Sequence, residues 1–192
     1  MMSNTLLESV VKKNRARLIP FMLALYVLAF LDRSNIGFAK ETYQLDTGLS
    51  NEAYALGAGI FFVVYAFLGV PANLLMRKFG ARRWIGCTTL LWGVLSAAMA
   101  WADTEAKFLL VRTLLGAAEA GFFPGMIYLT SQWFPQQNRA SIMGLFYMGA
   151  PLALTLGSPL SGALLEMHGF MGHPGWFWMF VIEGLLDRKS VV

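Results

Sequence analysis

Asp32 and Arg33 stand side by side inside one long apolar run, and Arg112 and Glu119 stand two helical turns apart inside another. A charge at the centre of a bilayer costs at least about 2.5–3.5 kcal/mol on insertion scales, so each of these four needs a partner or a water-filled cavity. Carboxylates beside arginines in such surroundings are the usual parts of proton relays and anion sites. Burial disfavours the charged form of a carboxyl and a neighbouring arginine favours it. Such a group changes protonation state as water, substrate or arginine comes and goes. A guanidinium also offers planar, two-point recognition of a carboxylate, which a lysine does not. The competing explanation is that these residues are ion pairs that only set helix register. Buried pairs are weak evidence for stability, because desolvation offsets the Coulomb gain.

The elements that must position these residues follow from composition. Of 192 residues, 57% are apolar and 14% charged, and the mean hydropathy is +0.56. That charged fraction is well below that of a soluble globular domain, which rules out a soluble enzyme. Apolar segments run over residues 18–39, 53–76, 84–102, 106–132 and 141–165, and a shorter one starts at 176 and stops at 186. At about 1.5 Å per residue the first five each suffice to cross a hydrocarbon core of about 30 Å. The first follows a charged stretch and contains Asp32 and Arg33, so it reads as a retained signal-anchor helix.

Basic residues set the expected orientation. Lys12, Lys13, Arg15 and Arg17 precede the first span, Arg77, Lys78, Arg82 and Arg83 join the second to the third, and Arg139 joins the fourth to the fifth. The opposite loops hold only Lys40 and Lys107 among their acidic residues. The N-terminus is therefore expected in the cytoplasm. The net charge of +4 is a topology signal, so no nucleic-acid partner is expected. Leu6, Leu7, Val10 and Val11 share a helical face ahead of the basic cluster, which suggests an interfacial helix on the inner leaflet.

With that orientation, depths can be read from helical rise. Asp32 lies about 23 Å beyond Arg17, in the outer half, and Arg112 lies about 8 Å in from Lys107. The Asp32–Arg33 pair and Arg112 are thus expected at one level. Glu119 falls further along the Arg112 face and near the midplane, an arrangement that suits a central polar cavity. Tyr65, about 18 Å from Arg77, is also near the midplane, where its hydroxyl needs either a substrate oxygen or a neighbouring helix. The glycines and prolines of 121–125 and 157–162 are expected to serve close packing and bending. His168 and His173 read as loop residues with no metal companions. The lone Cys87 excludes an intrachain disulfide framework. No hydrolase elbow, P-loop or dinucleotide fingerprint is present.

Phe30-Leu31-Asp32-Arg33-Ser34-Asn35-Ile36 resembles the first-helix signature of the anion–cation symporter branch of the major facilitator superfamily. Arg112-Thr113-Leu114-Leu115-Gly116-Ala117-Ala118-Glu119-Ala120-Gly121-Phe122-Phe123-Pro124-Gly125 resembles its fourth-helix signature. Trp133-Phe134-Pro135 with Arg139-Ala140, and Gly175-Trp176-Phe177-Trp178-Met179-Phe180-Val181-Ile182-Glu183-Gly184, resemble further branch motifs. The loop motif after the second span is partly kept: Gly80, Arg82 and Arg83 are present, but Asn73 stands at the leading glycine and Arg77 at the usual acid. Ser158 stands where a glycine is expected before Pro159. Within the branch the chain is similar to bacterial sugar-acid permeases of the L-rhamnonate type.

The resemblance implies an all-α membrane protein: the N-terminal six-helix half of a twelve-helix transporter, its sixth helix cut short. It implies proton-coupled import of a monovalent organic anion by alternating access, in a multi-pass protein of the inner membrane. By the same resemblance Asp32 and Glu119 carry the coupled proton, Arg33 and Arg112 engage the substrate carboxylate, and Tyr65 touches its hydroxyls. No metal or organic cofactor is implied; the proton is the coupling ion. The site of such transporters lies between two halves, so these residues make a half-site whose partner is the C-terminal half. The expected organisation is a cytoplasmic segment 1–17, a transporter half 18–186 and a tail 187–192. That tail breaks the last apolar run and matches the translation of a common sequencing adapter, so it reads as non-native. As written, the chain is expected to insert but not to transport. The alternatives are a natural half-transporter acting as a dimer, or a non-transporting integral membrane protein.

Overall fold

A computed structural model describes residues 2–189, with side chains described for 8–186. No strand occurs among the described residues. Helix α1 (Met2–Thr47) is followed by α2 (Asn51–Phe79), α3 (Ala81–Ala98), α4 (Glu105–Glu119), α5 (Phe122–Trp133), α6 (Gln136–Tyr147), α7 (Gly149–Leu165) and α8 (Gly175–Lys189). Five helical stretches are long and apolar enough to cross a membrane, and Gly175–Leu186 is a shorter apolar helix.

Local chemistry explains the boundaries. The Ser50 side chain caps α2 by accepting from the Ala53 N–H, which satisfies one of the free donors at a helix start. The same helix ends at Gly80, whose φ of +88° suits a residue without Cβ. Thr104 caps α4 in the same manner through the Lys107 N–H. In the first turn of that helix, Lys107 Nζ donates to Oδ1 of the preceding Asp103 at 2.5 Å and holds this carboxyl below its usual range.

Two of the expected spans are each built from two helices. The fourth breaks at Ala120 and Gly121, between α4 and α5, and the fifth breaks at Met148, between α6 and α7. Pro124 and Pro151 follow these breaks. A proline ring lacks an N–H and clashes with the carbonyl four residues back, here those of Ala120 and Tyr147. Glu119 is consequently the last residue of α4, poised at a bend. The first span shows no such break: α1 runs through the basic segment as one helix of 46 residues. No helix boundary separates residues 2–17 from the span, while Met1 and the side chains of Leu6 and Leu7 lie outside the described residues. Of the tail, the backbone of α8 reaches Lys189, while Ser190, Val191 and Val192 lie outside the described residues.

The helices pack as α1 on α6 and α7, α2 on α4, and α3 on α8 and α4, with α8 also against α1. Small residues allow these approaches. A Cβ at Gly116 of α4 would lie 2.5 Å from the Phe61 carbonyl oxygen of α2, and one at Gly184 of α8 would lie 2.5 Å from the Ala97 nitrogen of α3. The packing role expected for the glycines fits Gly121, Gly125 and Gly157, each close to a neighbouring helix, but not Gly162, which has nothing within 4 Å. Tyr26 stacks on Phe146 with centroids 4.3 Å apart, joining α1 to α6. At the other end Trp176 Nε1 donates to Asp46 Oδ2 at 2.7 Å, joining α8 to α1. The outward faces remain apolar, as Phe67 at 79% and Val70 at 71% exposure show; in a membrane such a face meets lipid.

Candidate functional site

Neighbours in a helix point about 100° apart, and the bundle uses that divergence at Asp32 and Arg33. Arg33 turns toward α4, where its Nε donates to Glu119 Oε2 at 2.8 Å and its Nη2 lies 2.8 Å from the same oxygen. Its guanidinium also lies 4.7 Å from the Tyr65 ring centroid on α2. Asp32 turns toward α3 and accepts a hydrogen bond from the Ser96 hydroxyl. Arg112 Nε donates to the Gly57 carbonyl of α2 at 3.2 Å, and its guanidinium carbon lies 4.5 Å from the Phe61 centroid. Phe61 therefore stands between the two arginines, with Arg33 5.7 Å from its centroid.

The structure brings Asp32, Arg33, Tyr65, Arg112 and Glu119 into one region and adds the partners that depth alone does not name. The partner of Arg33 is Glu119, not its chain neighbour. Arg112 makes no ion pair among the described residues; a carbonyl and an aromatic face hold it instead. The Asp32, Arg112 and Glu119 side chains are buried, whereas the Arg33 side chain keeps 17% of its surface exposed. Tyr65 is half-buried. Arg33 and Tyr65 are thus the edge of the cluster that reaches the bundle surface.

Two carboxylate oxygens are left over. Asp32 Oδ2 and Glu119 Oε1 are buried with no donor to serve them, and the two carboxyl groups lie within hydrogen-bonding reach of one another. An unserved buried acceptor is costly, and a proton on the carboxyl is the simplest means of serving one. The geometry therefore supplies two buried proton acceptors next to a guanidinium that reaches the surface.

Sequence reasoning overlooked a fifth ionisable residue in the apolar runs. Glu183 of α8 is buried and accepts a hydrogen bond from the Asn35 amide of α1. Ser161 of α7 lies 3.4 Å from Glu183 Oε1. The available signal was a carboxylate in the middle of the run 176–186, which was read as part of a motif and not as a charge needing a partner. Ser96 left no such signal, because a serine in an apolar helix is unremarkable until its neighbour is known.

Comparisons with known proteins agree with this architecture. The profile of the Major Facilitator Superfamily matches residues 22–186. The inner membrane transport protein RhmT of Escherichia coli (strain K12) is 92% identical over 185 residues, covering 96% of this chain and 43% of RhmT. A protein of Agrobacterium vitis named as a candidate tartrate transporter is 51% identical over 181 residues, covering 94% of this chain and 40% of that protein. The chain thus spans less than half the length of these relatives. A crystal structure of a bacterial homolog of the human lysosomal transporter Spinster, inward-facing and occupied, matches with a TM-score of 0.83 at 22% identity. It covers 92% of this chain and 43% of that one, and it shows the fold alone.

Proposed function

The chain belongs to the major facilitator superfamily, and from that membership we propose that it supplies the N-terminal half of a proton-coupled importer of monovalent organic anions, sugar acids foremost. Proteins of this family are transporters, not enzymes. The fold is that of the first half of such a transporter, and its partner in this reading is the C-terminal half, which completes the site. The protein is multi-pass, and the name of RhmT supports an inner-membrane location. The basic residues at 12–17, 77–83 and 139 support a cytoplasmic N-terminus.

The observation that carries the coupling is the Arg33–Glu119 pair with Glu119 Oε1 left unserved. While Glu119 is ionised it occupies Arg33. A proton on Glu119 neutralises it and frees the guanidinium for a substrate carboxylate, which the planar fork matches. Anion and proton are then bound together, and neither is favoured alone. Asp32, one residue from Arg33 and also holding an unserved oxygen, is the second proton acceptor. Arg112, lacking a carboxylate partner, is the second anion ligand. Tyr65, already against Arg33, is placed to meet substrate hydroxyls. Alternating access then exposes this half-site to each side of the membrane in turn.

The test is uptake of labelled L-rhamnonate by a chimera in which this chain replaces the matching segment of RhmT, in vesicles with an imposed inward proton gradient. Gradient-driven accumulation that collapses with a protonophore is expected. Uptake indifferent to the gradient would sink the reading.

A further inference from the structure

Glu183 is buried without a cation: the ion pairs among the described residues are Arg33–Glu119 and Lys107–Asp103. Its partners are neutral. The Asn35 amide donates to Oε2, and the Ser161 hydroxyl lies 3.4 Å from Oε1 and 3.5 Å from Asn35 Oδ1. A carboxyl in that setting is expensive for packing alone, since an apolar side chain of similar size carries no desolvation penalty. Two acceptor oxygens can do what an apolar side chain cannot: tie α8 to α1 and α7 at one point.

That point closes a circuit on Asp32. Asn35 lies one helical turn after Asp32 on the same face of α1. Asn35 is held by Glu183 on α8. The next residue, Gly184, sets α8 against α3, with a Cβ there 2.5 Å from the Ala97 nitrogen and 2.8 Å from the Gly93 oxygen. On α3, Ser96 adjoins Ala97 and donates to Asp32. Asn35, Ser96 and Ser161 are wholly buried.

We propose that Glu183 is a positioning residue that acts through Asn35 to fix the rotation of α1, so that Asp32 faces Ser96 while Arg33 faces Glu119. The proposal rests on the reading of Asp32 as a proton acceptor. The charged groups around Asp32 are Arg33 on its own helix, Arg112 and Glu119 from α4, and Glu183 from α8. From α3 comes the neutral Ser96. A small rotation of α1 alters the distance from Asp32 to every one of these groups on the other helices at once.

The experiment measures L-rhamnonate uptake against pH in the RhmT chimera. Glu183→Ala, which removes both acceptors, should move the midpoint of the pH profile by at least about half a pH unit, because Asp32 changes its surroundings. Asn35→Ala breaks the same tie from the other side and should move it in the same direction; it serves if Glu183→Ala fails to accumulate in the membrane. Glu183→Gln keeps the volume and one acceptor and should restore the parental profile. A Glu183→Ala or Asn35→Ala variant with reduced uptake and an unmoved midpoint would show a scaffold role only and overturn the proposal. Glu183→Gln moving the profile as far as Glu183→Ala would show that Glu183 exchanges a proton itself, and would also overturn it. Asp32→Asn is the separate control: if it leaves the profile intact, the coupling reading beneath the proposal fails.

Discussion

Arg33 and Glu119 form an ion pair between α1 and α4 in which Nε and Nη2 both lie 2.8 Å from one carboxylate oxygen, while Asp32, the preceding residue, is bonded to α3. The two carboxylates of the cluster are therefore not equivalent. Glu119 competes directly for the guanidinium that reaches the bundle surface. Asp32 has the Ser96 hydroxyl of α3 as its partner. In the proposed mechanism, a substrate carboxylate approaching Arg33 competes with Glu119.

Glu119→Gln should abolish proton-driven accumulation while preserving substrate exchange, because exchange needs no net proton movement. In proteoliposomes of the chimera, the accumulation ratio should fall to equilibrium while counterflow persists. Uphill transport by the Gln variant under a proton gradient would remove Glu119 from the coupling path.

Arg112→Lys should impair both accumulation and exchange. Lysine keeps the charge but loses the fork, the Nε bond to the Gly57 carbonyl and the flat face against Phe61. A charged hydrogen bond contributes about 1.5–3 kcal/mol, so apparent affinity should fall roughly ten- to hundredfold. Binding measured by substrate protection or calorimetry checks this, and unaltered affinity would place Arg112 outside the anion site.

Gly116→Ala should destabilise the bundle by about 1–3 kcal/mol, the usual range for overpacking. The added methyl would lie 2.5 Å from a backbone oxygen of α2, which cannot rotate away. Gly162→Ala, with nothing within 4 Å, should leave the melting temperature in detergent unchanged. Equal melting of the two variants would contradict the close α2–α4 contact.

Single-cysteine labelling tests the orientation. Cys87 is exposed and is first replaced by Ser. A cysteine at Lys40 should react with an impermeant reagent in intact cells, and one at Arg82 should react only after the membrane is opened. Labelling at 82 from outside would invert the topology.

Much was legible from composition and order alone. Apolar length marked the five crossing stretches, because a bilayer demands about 20 apolar residues wherever a helix spans it. The types Asp32, Arg33, Arg112 and Glu119 stood out because charge in such runs is costly and so needs a purpose. The breaks after Glu119 and Tyr147 were also latent there, since Pro124 and Pro151 act on residues at a fixed distance behind them.

Partnership was not legible. Helical rise gives the depth of a side chain, but its partner depends on which helix faces it, and that is set by how the five crossing stretches and α8 pack. Depth placed Asp32, Arg33 and Arg112 together; packing sent Asp32 to Ser96, Arg33 to Glu119 and Arg112 to a carbonyl and a ring. Glu183 acquired its significance in the same way. It lies 148 positions beyond Asn35, and nothing in the sequence between links the two; the approach of α8 to α1 and α3, permitted by Gly184, does. Local sequence thus determined which groups enter the membrane and how deep they lie, because those depend on one helix at a time. Only the tertiary structure decided which of them share a bond, because that depends on the rotation of each helix against its neighbours.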